Sequence, residues 1–143
     1  MYSAINVARY IISHCNSNGK TISNLKLQKI LYFVQAEFLV AQDQPCFQEQ
    51  IEAWDFGPVV PEVYRHYKVY GSAAIPSLRS EDYCPFSKKD KILADGIIDE
   101  CAKYSASELV EYTHHQSPWI NAYGQSRNAV ITNESIKSFF EKK

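Results

Sequence analysis

At 143 residues, with 45% apolar, 22% charged and 13% aromatic side chains, the chain is long enough to fold around a core of its own. Its formal net charge of −1 excludes bulk attraction to nucleic acid, because phosphate-binding modules carry a basic surplus. No apolar run approaches the roughly 20 residues that span a bilayer, and Cys15, Cys46, Cys84 and Cys101 lie too far apart to pair as zinc ligands.

Near the start, Ala4, Val7, Ala8, Ile11, Ile12 and Cys15 recur at helical spacing, and Gly19 in NSNGK is a natural left-handed stop. The next helix follows TIS, with Thr21 or Ser23 as its N-cap, and continues to about Gln42. Leu27, Ile30, Leu31, Val34, Phe38 and Ala41 make one face, while Leu25, Tyr32, Phe33 and Leu39 widen the apolar cover. A helix apolar over so much of its girth belongs at the centre of a fold. Lys26 and Lys29, one turn apart, read as a solvated face that an acidic partner could use.

QIEAW is a short alternating strand. In WDFGPVVPEVYRHY, Gly57-Pro58 turns the chain, Val60 is pushed to extended geometry by the following proline, and Pro61 fits the first position of a helix. Trp54 to Pro61 is thus expected to be a rigid strand-to-helix joint. Val63, Tyr67 and Tyr70, with Tyr64 beside them, face one way until Gly71 closes the helix. Residues 72–86 read as the longest irregular connection and the most mobile piece. Ser87 with Asp90, and Ser105 with Glu108, are capping boxes for two further helices. On the first of these Leu93, Ile97, Cys101 and Tyr104 share a side, and Gly96 would admit a neighbour closely. Ser117-Pro118 opens a short turn carrying Trp119 and Tyr123. NAVI is a weak strand suited to pair with QIEAW, and Thr132 caps a last helix holding Ile136, Phe139 and Phe140. The expected fold is α+β, predominantly α: a compact single domain over residues 1–143, with about six helices and one small two- or three-stranded β element.

No catalytic constellation emerges. There is no G-x-S-x-G elbow, no phosphate-cradling glycine loop and no H-E-x-x-H. Glu111, His114 and His115 form the most site-like cluster, yet E-x-x-H metal chemistry needs a second such pair and two further glutamates. Glu62 and His66 give only E-x-x-x-H, and adjacent histidines on a helix point about 100° apart. No metal and no cofactor is expected. A cysteine–histidine pair, Cys15 with His14 or Cys101 with His114, stays open because partners meet in space, and a hydrolase built on His114 has the least support. Lys88, Lys89, Lys91 and Arg65, His66, Lys68 are local basic groups that the overall charge outweighs, so nucleic acid is disfavoured. MYSAINVARYII lacks a basic n-region and an unbroken apolar stretch, so a cytoplasmic protein with reduced thiols and no membrane contact is expected. Trp54, Asp55 and Phe56 carry two readings. In the preferred one Trp54 packs under the joint while Asp55 bonds turn amides; in the other, aromatics on a stiff corner anchor a partner.

Together, LKLQKILYFVQ, IEAWDFGPVVPEVY and ELVEYTHHQSPW resemble in content and order the Panacea domain of SocA-like antitoxins, a group also called phage-associated or GepA-like proteins. The family pattern is a K-L-Q-K-L-L-Y-F-A-Q helix, an A-W-x-x-G-P-V-x-P-x-V-Y corner and a later stretch of leucine, threonine-histidine and proline-tryptophan. Lys26, Leu27, Gln28, Lys29, Leu31, Tyr32, Phe33 and Gln35 match the first, with Ile30 for a leucine and Val34 for an alanine. Ala53, Trp54, Gly57, Pro58, Val59, Pro61, Val63 and Tyr64 match the second, and Thr113, His114, Pro118 and Trp119 the third. The resemblance implies an antitoxin of a bacterial or prophage toxin–antitoxin module that neutralises a cognate toxin protein by direct binding, and it transfers no catalytic residues. Trp54, Asp55, Phe56, Tyr64, Tyr67, His114 and Trp119 are the expected partner contacts. Lys26, Gln28, Tyr32, Gly57, Pro58 and Pro61 are expected to build the scaffold. Delivery of the toxin to a protease, or a phage or mobile-element regulator contacting nucleic acid, are the alternatives; a homodimer is left open.

Overall fold

The computed structural model describes residues 1–77 and 83–142. Helix α1 (Ala4–Ser17) starts where the Ser3 hydroxyl accepts from the Asn6 amide, and beyond its end Gly19 is left-handed at φ +72°. Helix α2 (Asn24–Gln42) takes Ser23 rather than Thr21 as its cap, the hydroxyl accepting from the Lys26 N–H, and stops at left-handed Asp43.

Strands β1 (Ile51–Trp54) and β2 (Gly57–Val59) then form an antiparallel hairpin across Asp55-Phe56, with Trp54 opposite Gly57 and Glu52 opposite Val59. This second strand corrects the sequence reading, which made the corner a bare strand-to-helix joint. Glycine and proline argue against a strand in general, but the register makes Pro58 harmless. Ala53, opposite Pro58, gives its N–H to Ala129 on the other side. Pro58 therefore sits where its missing N–H would have pointed away from β1.

Val60 is extended at φ −95°, ψ 102°, and Pro61 opens helix α3 (Pro61–Tyr67), which tightens into a 3-10 turn over Lys68–Tyr70 and closes at Gly71. Residues 72–77 and 83–86 hold no helix or strand; residues 78–82, the centre of the connection expected to be mobile, lie outside the described residues. Helix α4 (Lys88–Ala102) begins with the Ser87 hydroxyl accepting from the Asp90 N–H, while the Asp90 carboxylate receives Tyr2 Oη and Gln42 Nε2. Its buried side is Ala94, Ile98 and Cys101, one residue round from the expected Leu93 and Ile97, which are half-buried. Gly96 is exposed with nothing near it, so it admits no neighbour. Helix α5 (Ala106–His114) has the complete Ser105–Glu108 capping box. Where a short turn was expected, Ser117–Gln125 is a nine-residue helix, α6. Strand β3 (Val130–Ile131) pairs with β1, giving the antiparallel order β2-β1-β3, and Thr132 caps helix α7 (Asn133–Glu141).

The fold is α+β and predominantly α, with seven α-helices and three strands among the described residues. Helix α2 is its axis, packing against α1, α3, α4, α5, α7 and β2. Leu27, Ile30, Leu31, Phe38, Phe47, Ile98 and Ile136 are fully buried around it, each such side chain contributing about 1.5–3 kcal/mol. Cys15, Cys46 and Cys101 are free thiols in the same core. Among the described residues no helix is long and apolar enough to cross a membrane.

Candidate functional site

The corner is built from the inside by polar side chains of α2, most of them spent on backbone groups outside their own helix. Gln28 Oε1 accepts from the Val60 N–H at 2.9 Å, and Gln28 Nε2 donates to Asn24 Oδ1, whose own amide donates to the Tyr64 carbonyl. Val60 is the N-cap of α3, and Gln28 takes its N–H as the N3 side chain of a capping box would. Two turns on, Gln35 accepts likewise from the Cys46 and Phe47 amides. Tyr32 Oη donates to Gln116 Oε1 at 2.7 Å, tying α2 to the joint between α5 and α6. Lys26 Nζ reaches the Ala102 carbonyl at the end of α4.

Lys29 overturns its expected place on a solvated face. It is 0% exposed, and its Nζ donates to the Pro58 carbonyl at 2.6 Å, the group that the hairpin register turns away from β1. Burial without a carboxylate partner pulls its pKa from 10.5 down to about 7. Directly above it lies Gly57 at φ +104°, where an added Cβ would stand 2.8 Å from Lys29 Cε and 2.8 Å from Thr113 Oγ1. Only glycine fits, on conformation and on space.

On the outer side, α5 and α6 clamp the hairpin turn. His114, Trp119 and Tyr123 form a continuous aromatic stack, with centroids 4.2 and 4.5 Å apart. Each member holds the turn by one hydrogen bond. His114 Nε2 donates to the Asp55 carbonyl at 3.0 Å, Trp119 Nε1 to the Trp54 carbonyl at 2.8 Å, and Tyr123 Oη to Asp55 Oδ1 at 2.7 Å. The acceptance fixes the His114 tautomer with its proton on Nε2. The bond to Asp55 raises the Tyr123 pKa. Trp54 meets Tyr64 edge to face at 5.1 Å, and its indole N–H goes to Glu52. Phe56, at the tip, is 65% exposed. Beside it, Trp54, Phe56, Tyr64, Gln28 and Arg127 line a cleft of about 300 Å³.

The structure thus brings Trp54, Asp55, Phe56, Tyr64, His114 and Trp119 to one corner. Asp55, expected to bond turn amides, turns its carboxylate to Tyr123. Tyr67 is set apart: at 6% exposure it belongs to the core and offers a partner almost no surface. Tyr123 and Arg127 were missed as site residues. The spacing of Trp119 and Tyr123, four apart, would have revealed the stack had that stretch been read as a helix. Glu111 does not join His114 at a metal site. His115 Nδ1 instead donates to the Glu111 carbonyl at 2.9 Å, as a helix-end residue does. No cluster of three or more metal-ligating side chains occurs among the described residues.

The family model described as "Antitoxin SocA-like, Panacea domain" matches residues 27–120. The chain belongs to that family. The Panacea match takes in Gln28, Lys29, the hairpin, all of α3 and the His114–Trp119 part of the clamp, and ends before Tyr123 and Arg127. Among curated proteins, Antitoxin SocA of Caulobacter vibrioides (strain NA1000 / CB15N) is 33% identical over 124 residues, 79% of this chain and 66% of that relative's length. No solved structure matches this Panacea protein.

Proposed function

We propose that the chain is an antitoxin that neutralises a partner toxin in the cytoplasm by direct protein–protein binding, with no chemistry of its own. Family membership supports the class, and so does the printed name of the Caulobacter relative. The observation that carries the mechanism is Phe56, a largely exposed ring on a two-residue turn whose neighbours are held by three hydrogen bonds from the aromatic stack. An anchor already fixed in position loses little entropy on docking, which is how a small contact becomes a strong one. Occlusion that outlasts toxin synthesis needs nanomolar affinity, about 12 kcal/mol. Phe56, Tyr64 and Arg127 at the cleft, with Tyr123 in the stack behind the turn, are the groups that supply it.

The test is co-expression with the product of the adjacent gene, scored by growth and by co-purification. Phe56→Ser is expected to melt like the native chain, because the ring packs on little, yet to lose rescue and co-purification. Full rescue by Phe56→Ser would remove the corner from the interface, and failure of the native chain to rescue would remove the antitoxin reading itself. A toxin level that falls when this chain is present would reassign the mechanism to delivery to a protease.

A further inference from the structure

On another face of the molecule, α2, α4, α5 and α7 leave a groove of about 460 Å³. It is within the size range that receives several side chains of a ligand. Buried Cys101 and Leu109 lie at its base, and Phe33, Tyr104, Tyr112 and Phe140 put four rings around them. The rings are braced edge to face, Tyr104 on Tyr112 at 5.5 Å and Phe33 on Phe140 at 6.0 Å. Tyr112 is 49% exposed. The groove shares no residue with the hairpin corner.

The α4–α5 stretch that lines it, Ile97 to Gln116, carries Glu100, Glu108 and Glu111 against the single lysine Lys103, while its fourth acid, Asp99, is bound to His14 of α1. Glu100 lines the groove itself. Its bond to Lys103, 3.1 Å between two side chains that are each more than half exposed, is of the kind readily exchanged for another cation.

We propose that this groove is a second docking surface, and that its occupant is an apolar segment of a partner protein flanked by lysine or arginine. The rings receive the apolar side chains, and Glu100 with Glu111 on the adjoining turn of α5 receives the basic flanks.

The experiment uses the full chain and a fluorescein-labelled helical peptide of about 18 residues, with leucine and phenylalanine on one face and lysine on the other. Its twin has glutamate at every lysine. Anisotropy should show the lysine peptide binding at least about tenfold more tightly than the twin, with affinity falling as salt is added. Tyr112→Ser should abolish binding, and Glu100→Lys with Glu111→Lys should weaken it by about tenfold without changing the melt. Phe56→Ser should bind the peptide as the native chain does, which separates this surface from the corner whatever the toxin experiment gives. Equal binding of the twins, or native binding by Tyr112→Ser, would overturn the proposal. So would a concentration-dependent dimer dispersed by Tyr112→Ser, which would give the groove to a second copy of the chain.

Discussion

Gly57 has Lys29 beneath it and Thr113 beside it, and neither can withdraw. Lys29 is committed to the Pro58 carbonyl, and Thr113 Oγ1 to the Val110 carbonyl. Gly57→Val combines a positive φ with overpacking, and is expected to lose about 2–6 kcal/mol, read by urea denaturation; a native-like transition would mean that α5 can move aside. Lys29 makes a prediction of opposite character. Its pKa of about 7 in the fold, against 10.5 ordinarily, means that between those values the unfolded chain holds a proton the folded chain has released. Stability should therefore rise with pH in that window, by up to about 1.4 kcal/mol per unit. Buried Cys15 and Cys101 oppose this above pH 9, since burial raises them from 9.0 to about 11 and about 12 and favours the protonated form in the fold. Urea titrations between about pH 7 and 9 should show the rise in the native chain and a flat line for Lys29→Met, which keeps the volume and discards the charge. None of this was legible in the sequence, because a lysine on a helix is ordinarily solvated. What gave no warning was the hairpin: without it, no stray carbonyl exists for the ammonium to meet.

Helix termini were the most legible features at the next scale. Ser87, Ser105 and Thr132 were named as caps and Ser23 as one of two candidates beside Thr21, and all four side chains accept from a first-turn amide. Local chemistry suffices there, since a cap needs only a hydroxyl and a turn of backbone. Ser105→Ala should remove about 1 kcal/mol and lower the melting midpoint by about 3–5 °C, with a second effect downstream. Because α5 carries His114 into the clamp, amide exchange at Asp55 and Phe56 should quicken in this variant if the stack really restrains the turn; unchanged exchange would show the turn rigid without it. The elements that escaped were those whose identity depends on a partner. Strand β2 holds a glycine and a proline and exists only because β1 and Lys29 take up its two edges. Helix α6 was read as a turn because Ser-Pro signals a start but says nothing of length. The buried stripe of α4 was displaced by one residue for the same reason, as it is set by α1 and α2 packed against it and not by its own periodicity alone.

For the whole molecule, the expectation of an axial helix held because it rested on a pattern with little ambiguity: apolar residues on nearly every side of α2 can be satisfied only by neighbours on every side. Three of the four thiols sit against that axis. Half-buried Cys84 should therefore react with a thiol reagent promptly, and Cys15, Cys46 and Cys101 only at the rate of global opening. Mass spectrometry over time should show one fast adduct, then three that appear together; early labelling of any one of the three would reveal a separate, weaker unit. The same enclosure bears on how such a protein could be given a new target. Gln28, Lys29 and Tyr32 of α2 are consumed in holding the corner backbone and the α5–α6 joint, so a library that randomises Phe56 and Arg127 leaves the frame intact, while one directed at Gln28, Lys29 or Tyr32 yields misfolded chains. Re-aiming the molecule is a matter of redecorating its rim.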